Sequence, residues 1–215
     1  MSLVLRDSPH NPGPRIVDAL RAVGELLAEE GERVAIVVVG GAAMILKGVV
    51  QRLTEDVDII AVARPRSKGD PVGVAPPDPL PVALLRAMSR VARDFDLRKD
   101  WMNSAVGAQW ETGLPPGFSE RIQWLRFGGL TVGVAARLDL IFLKLYAAVV
   151  SEGPQSVHYQ DLLALRPDSE ELAGAEEWVK TQDTSAEFAT MLGEVIGHVS
   201  RDTQRPRREG GGGRY

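Results

Sequence analysis

Two aspartates separated by a single residue, Asp56 and Asp58 in the run RLTEDVDII, are the side chains best placed to hold a metal ion. Side chains alternate along a strand, so an extended DVDII segment turns both carboxylates to one face. Val57, Ile59 and Ile60 are apolar and assign the strand to a core. Two carboxylates together there repel one another and are costly to desolvate. A divalent cation removes that cost, and a pair of Mg²⁺ ions about 3.5–4 Å apart is the usual device for in-line displacement at phosphorus. Upstream, RVAIVVVGG ends in Gly40-Gly41 just before a short helical stretch. Glycines there let backbone N–H groups approach phosphate oxygens, and a helix N-terminus adds its dipole. Gly40-Gly41 and the aspartate pair would then grip two ends of one triphosphate.

Composition narrows the choice of metal. The chain of 215 residues has no cysteine and three histidines, so thiolate zinc sites, disulfides and cysteine nucleophiles are excluded. Carboxylate ligands favour Mg²⁺ or Mn²⁺. A net charge of -4 excludes a strongly basic whole-domain footprint for nucleic acid. It leaves room for a local patch such as the RPRSK cluster, Arg64 to Lys68, which directly follows the aspartate strand and could reach a triphosphate or an RNA backbone. The N-terminus lacks a secretory pattern, and the longest apolar run, Val34 to Val39, is far too short to span a bilayer. A cytoplasmic protein without membrane contact is the expectation.

The elements that must position these residues follow from periodicity. Ile16, Leu20, Val23, Leu26 and Leu27 recur at helical spacing behind Pro14, and Gly31 ends that helix. Val34 to Val39 predicts a strand covered on both faces. AAMILKGVV predicts a short helix, and Asp56 to Val62 a second strand. Ala63 to Pro81, rich in Pro and Gly, predicts a long exposed loop. Pro81 opens a helix with Val82, Leu85, Met88, Val91 and Phe95 on one face. Trp101 to Gln109 has no regular pattern. RIQWLRF and LTVGVA predict a hairpin about Gly128-Gly129. From Arg137 onward LDLIFLKLYAAVV, HYQDLLAL, SEELAGAEEWVK and SAEFATMLGEVIGHV predict helices. Met1 to Pro12 is expected as a loose arm, and residues 201–215 as a disordered tail. The domains are therefore expected at 13–136, mixing strands and helices, and at 137–200, all helical.

The order Val39, Gly40, Gly41, short helix, Asp56, Val57, Asp58, Ile59 resembles the DNA polymerase β-like nucleotidyltransferase superfamily, over roughly Val34 to Val62. More of the chain resembles its minimal branch, related to the AbiEii and MenT toxins. Arg52 and Thr54 match that branch's Arg-x-Thr before the aspartates. Lys144 matches its lysine in a later apolar helix, and Asp161 its aspartate in the helix after. The resemblance implies an α+β nucleotidyltransferase fold: a small twisted mixed sheet flanked by helices, with a helical C-terminal part. It implies metal at Asp56 and Asp58, phosphate contacts from Gly40, Gly41, Arg52, Thr54 and Lys144, and Asp161 placing Lys144 or the acceptor, or serving as general base. It further implies transfer of a nucleotidyl group from an NTP to RNA, tRNA first, or to protein, in a toxin-like component with an antitoxin partner. Two residues depart from the pattern. Ala42 stands where relatives often carry Ser or Thr, and no third carboxylate is evident; Asp139, the candidate by position, fits a helix start. These departures keep a second reading open: a weakened or inactive nucleotidyltransferase-like domain that binds nucleotide or protein.

Structural alternatives stand beside each assignment. Arg52 could pair with Asp56. Lys144 could snorkel to the surface, and Asp161 could pair with Arg137 or Arg166. His158 fits the first turn of a helix better than a ligand set. Trp101, Trp110, Trp124 and Trp178 are scattered, as packing residues are.

Overall fold

The computed structural model describes residues 13–52, 54, 56–151 and 153–204. The expected N-terminal arm, and the tail from 205 on, lie outside the described residues. The chain divides into two compact units between Ala136 and Arg137. The first contains α1 (Gly13–Glu29), β1 (Val34–Val39), α2 (Gly40–Leu46), β2 (Val57–Arg64), β3 (Val72–Ala75), α3 (Val82–Asp94), β4 (Met102–Asn103), α4 (Gln109–Thr112), β5 (Gln123–Phe127) and β6 (Leu130–Val134). The second contains α5 (Arg137–Val150), α6 (Val157–Leu165), α7 (Ser169–Val179) and α8 (Ala186–Gln204).

The first unit is built on one mixed sheet, ordered β3-β2-β1-β6-β5 with β4 beside the start of β2. β1 is buried along its whole length, as an unbroken run of apolar residues requires. It pairs antiparallel with β2 and parallel with β6, which makes it the central strand. β5 and β6 form the expected hairpin across Gly128-Gly129. Gly24 lies under that hairpin: a Cβ there would stand 1.7 Å from the Phe127 carbonyl oxygen. A glycine inside α1 weakens the isolated helix, but here it lets α1 pack backbone against backbone, and Gly129 N–H donates to the Gly24 carbonyl at 2.7 Å.

Three local expectations change. The stretch Ala63 to Pro81 is not all loop: β2 continues to Arg64, and Val72–Ala75 returns as an antiparallel edge strand. Backbone pairing alone holds such a strand, so its mostly exposed side chains leave no periodic trace. The buried face of α3 is Leu84, Ala87, Met88, Val91 and Ala92, while Val82 and Leu85 face solvent. Alanines complete that stripe, which a search for large apolar residues passes over. Within Trp101 to Gln109, Met102 and Asn103 pair in parallel with Val57 and Asp58.

In the second unit α5 is buried almost all round, through Leu140, Ile141, Phe142, Leu145, Ala148 and Val149. Trp178 of α7 packs on Phe142 and Tyr146, with ring centroids 5.8 and 6.4 Å apart. Arg137 Nε and Nη2 donate to the carbonyls of Leu165 and Arg166, satisfying the C-terminus of α6, and the guanidinium also pairs with Glu171. Asp168 and Glu171 form a capping box at the start of α7. Residues 201–204, expected in the tail, continue α8, where Thr203 Oγ1 donates to the Val199 carbonyl. Among the described residues no helix is long and apolar enough to cross a membrane.

Candidate nucleotide-binding site

The end of β1 and the start of β2 lie side by side, so Val39 is directly opposite Asp58. β2 begins at Val57, one residue later than expected, and Asp56 stands just before it. Gly40 follows Val39 with φ +66°, in the left-handed region that favours glycine. A Cβ on Gly40 would come within 2.2 Å of Asp58 Oδ2. One on Gly41 would come within 2.7 Å of Thr54 Oγ1 and 3.4 Å of an Arg52 guanidinium nitrogen. The two glycines are therefore the floor against which Asp58, Thr54 and Arg52 rest. Thr54 Oγ1 donates to the Asp56 carbonyl at 3.3 Å, tying the aspartate segment to this floor. α2 has seven residues and no side-chain cap, so the glycines contribute proximity rather than a long helix dipole.

Asp56 Oδ1 is buried and, among the described residues, accepts no hydrogen bond, although the side chain as a whole is 43% exposed. A buried carboxylate oxygen without a donor is costly and marks a place for a cation. The cation beside it is Arg98 rather than Arg52, with Nη1 at 3.9 Å, an ion-pair separation and not a hydrogen bond. Arg98 is anchored elsewhere: Nε and Nη2 donate to both oxygens of Asp100 at 3.1 and 2.7 Å. The hydrogen bond from Arg98, helped by a backbone donor, holds the Asp100 carboxyl below its ordinary value of 3.8. This clamp is thus intact above pH 4 and is lost only as pH falls through the lowered value. Arg98 was not legible as a site residue, because it lies forty positions beyond Asp58 in an irregular segment. The only signal is its neighbour: β4 places Asn103 beside Asp58.

Two carboxylates make a small donor set, and among the described residues no group of three or more Asp, Glu, His or Cys residues could hold an ion. The set fits Mg²⁺, which binds through one or two carboxylates and takes its other oxygens from water and substrate phosphates. The donorless Asp56 oxygen is the observation that carries this fit. Ala42 is fully buried in α2.

Lys144 and Asp161 belong to the helical unit. Lys144 Nζ lies 2.7 Å from Asp161 Oδ2, with side-chain exposures of 6% and 2%. Lys144 therefore does not snorkel, and Asp161 pairs with neither Arg137 nor Arg166. His158, in the first turn of α6, brings Nδ1 to 3.4 Å from the same ammonium. Asp139 is fully buried in the first turn of α5.

The tryptophans pack. Trp101 is fully buried and donates to the Met88 carbonyl; Trp110 donates to that of Ile60. The RPRSK cluster lies at the other end of β2. Arg64 is six residues beyond Asp58, about 20 Å along the strand, so the cluster does not reach a triphosphate at the aspartates.

A family described as a nucleotidyltransferase of unknown function (DUF6036) matches residues 16–163, from α1 through the glycine and aspartate pairs to Lys144 and Asp161. No curated protein and no solved structure matches the chain. The mixed sheet with helices about it agrees with such a fold, and the match spans well over half the sequence: this chain belongs to that family of nucleotidyltransferases of unknown function.

Proposed function

We propose that the chain moves a nucleotidyl group from a nucleoside triphosphate to a hydroxyl of an RNA acceptor, with Mg²⁺ held by Asp56 and Asp58. The observation that carries this reading is the buried, donorless Asp56 oxygen beside a glycine floor fitted to Asp58. Bound Mg²⁺ would neutralise phosphate charge and orient the triphosphate. Gly40 and Gly41 let phosphate oxygens approach the backbone, and Arg52 and Thr54 stand beside them for polar contacts. Arg98 supplies a second guanidinium next to Asp56, available for phosphate oxygens. Lys144, paired with Asp161 in the helical unit, is the residue for which the family resemblance implies a point-charge contact to phosphate oxygens. The acceptor hydroxyl attacks the α-phosphorus, its proton passes to solvent, and pyrophosphate leaves as the α–β phosphoanhydride bond breaks.

The likeness to the AbiEii and MenT toxins puts tRNA first among acceptors and supports a toxin-like role with an antitoxin chain as partner. NTP and RNA as substrates agree with a cytoplasmic site of action. Ala42 and the two-carboxylate donor set favour a second reading, a domain that binds nucleotide without turnover. Incubation with each labelled NTP, Mg²⁺ and total RNA separates the two. Label transfer that disappears in Asp56→Ala is the expected result. Metal-dependent NTP binding without transfer to RNA, protein or water selects the second reading. Absence of NTP binding removes both.

A further inference from the structure

The end of the sheet away from the aspartates carries a pocket of about 270 Å³ lined by Arg33, Arg66 and Arg126, with Glu32 as its one acid. The three arginines come from separate places: the lead into β1, the turn after β2, and β5. All three are exposed. Among the described residues no hydrogen bond or ion pair engages Arg33 or Arg66. A hydrogen bond from Arg126 Nη2 to the Gly69 carbonyl holds its guanidinium in place. The wall between them is backbone packed against backbone. Cβ atoms on Gly128 and Gly129 would stand 2.6 Å from the carbonyl oxygens of Gly24 and Glu32. Three guanidiniums about one pocket repel each other, on a chain whose net charge is -4. The concentration of cations here therefore runs against the average of the molecule. Guanidinium forks match phosphate oxygens two at a time, which a carboxylate-poor, arginine-lined pocket can exploit.

We propose that this pocket binds the phosphodiester backbone of the RNA acceptor, anchoring it about 20 Å from the aspartates along β2. RNA as acceptor is taken from the reading above; the pocket itself stands on its own geometry. It reads no sequence, because backbone contacts position a strand without specifying it. It fixes a minimum size instead: an acceptor that touches both ends of the sheet spans several nucleotides.

The test measures binding of fluorescein-labelled oligouridylate to the full chain by anisotropy, without NTP or Mg²⁺, over a series of salt concentrations. In R33Q/R66Q/R126Q the affinity is expected to fall at least about tenfold, and the slope of log K against log salt to flatten by about 2, near 0.7 for each lost phosphate contact. R33K/R66K/R126K, which keeps the charge, is expected to retain much of the binding. Arg90→Gln, exposed on α3, is expected to change nothing. Circular dichroism and Mg²⁺-dependent NTP binding report that the variants are folded. Wild-type affinity and slope in the glutamine variant overturn the proposal, as does wild-type preference for polyglutamate over oligouridylate. Failure of nucleotidyl transfer alone does not touch it. RNA binding lost in the glutamine variant but kept in Asp56→Ala supports the pocket even where transfer is absent.

Discussion

At the scale of single residues, the decisive contact is the missing side chain of Gly40. Its φ of +66° and the 2.2 Å clearance to Asp58 Oδ2 leave no room for a methyl group. Gly40→Ala must move either the strand end or the carboxylate. We expect it to abolish Mg²⁺-dependent NTP binding, measured by calorimetry, and to cost about 1–3 kcal/mol in urea unfolding. An alanine variant that binds NTP with Mg²⁺ as wild type would show that Asp58 need not rest against this backbone. Gly40-Gly41 and Asp-x-Asp were legible because each is a local pattern with a physical requirement attached. Arg98 was not, because nothing in the run DLRKDW states that the chain returns it to Asp56. The donorless Asp56 oxygen was equally out of reach, since a hydrogen bond that is absent leaves no mark on the sequence.

At the scale of elements, periodicity located the longer helices and the central strand, missed the single turn of α4, and failed where small residues or backbone pairing decide the outcome. Ala87 and Ala92 turned the buried face of α3 away from Val82 and Leu85. Val72–Ala75 became a strand through its pairing with β2. The lysine within LIFLKLYAA was legible as an anomaly, and α6 supplies the explanation by burying Asp161 against it. A buried pair of this kind costs much to break and little to replace. Lys144→Met alone leaves a buried carboxylate uncompensated, and is expected to lose about 3–5 kcal/mol in chemical denaturation. The double variant Lys144→Met with Asp161→Leu is expected to recover most of that loss. Additive losses would mean that the two side chains are not each other's main partner.

At the scale of the whole molecule, the aspartate pair belongs to the sheet unit and Lys144 to the helical unit. The double variant makes the contribution of the second unit measurable, because it removes the charge while keeping the fold. If Lys144 acts on a triphosphate bound at Asp56 and Asp58, the stable double variant still binds Mg²⁺ at the aspartates but transfers nucleotide about 10²-fold more slowly, the usual cost of losing one preorganised charge contact. Mn²⁺ in place of Mg²⁺ gives a second readout independent of turnover. If Lys144 acts on that triphosphate, the paramagnetic ion with a non-hydrolysable NTP broadens the NMR signals of Lys144 in the wild-type chain, and Asp56→Asn restores them. Unbroadened Lys144 signals, together with wild-type transfer in the double variant, would make the lysine–aspartate pair a packing feature of the helical unit. The metal and the glycine floor would then carry the triphosphate alone.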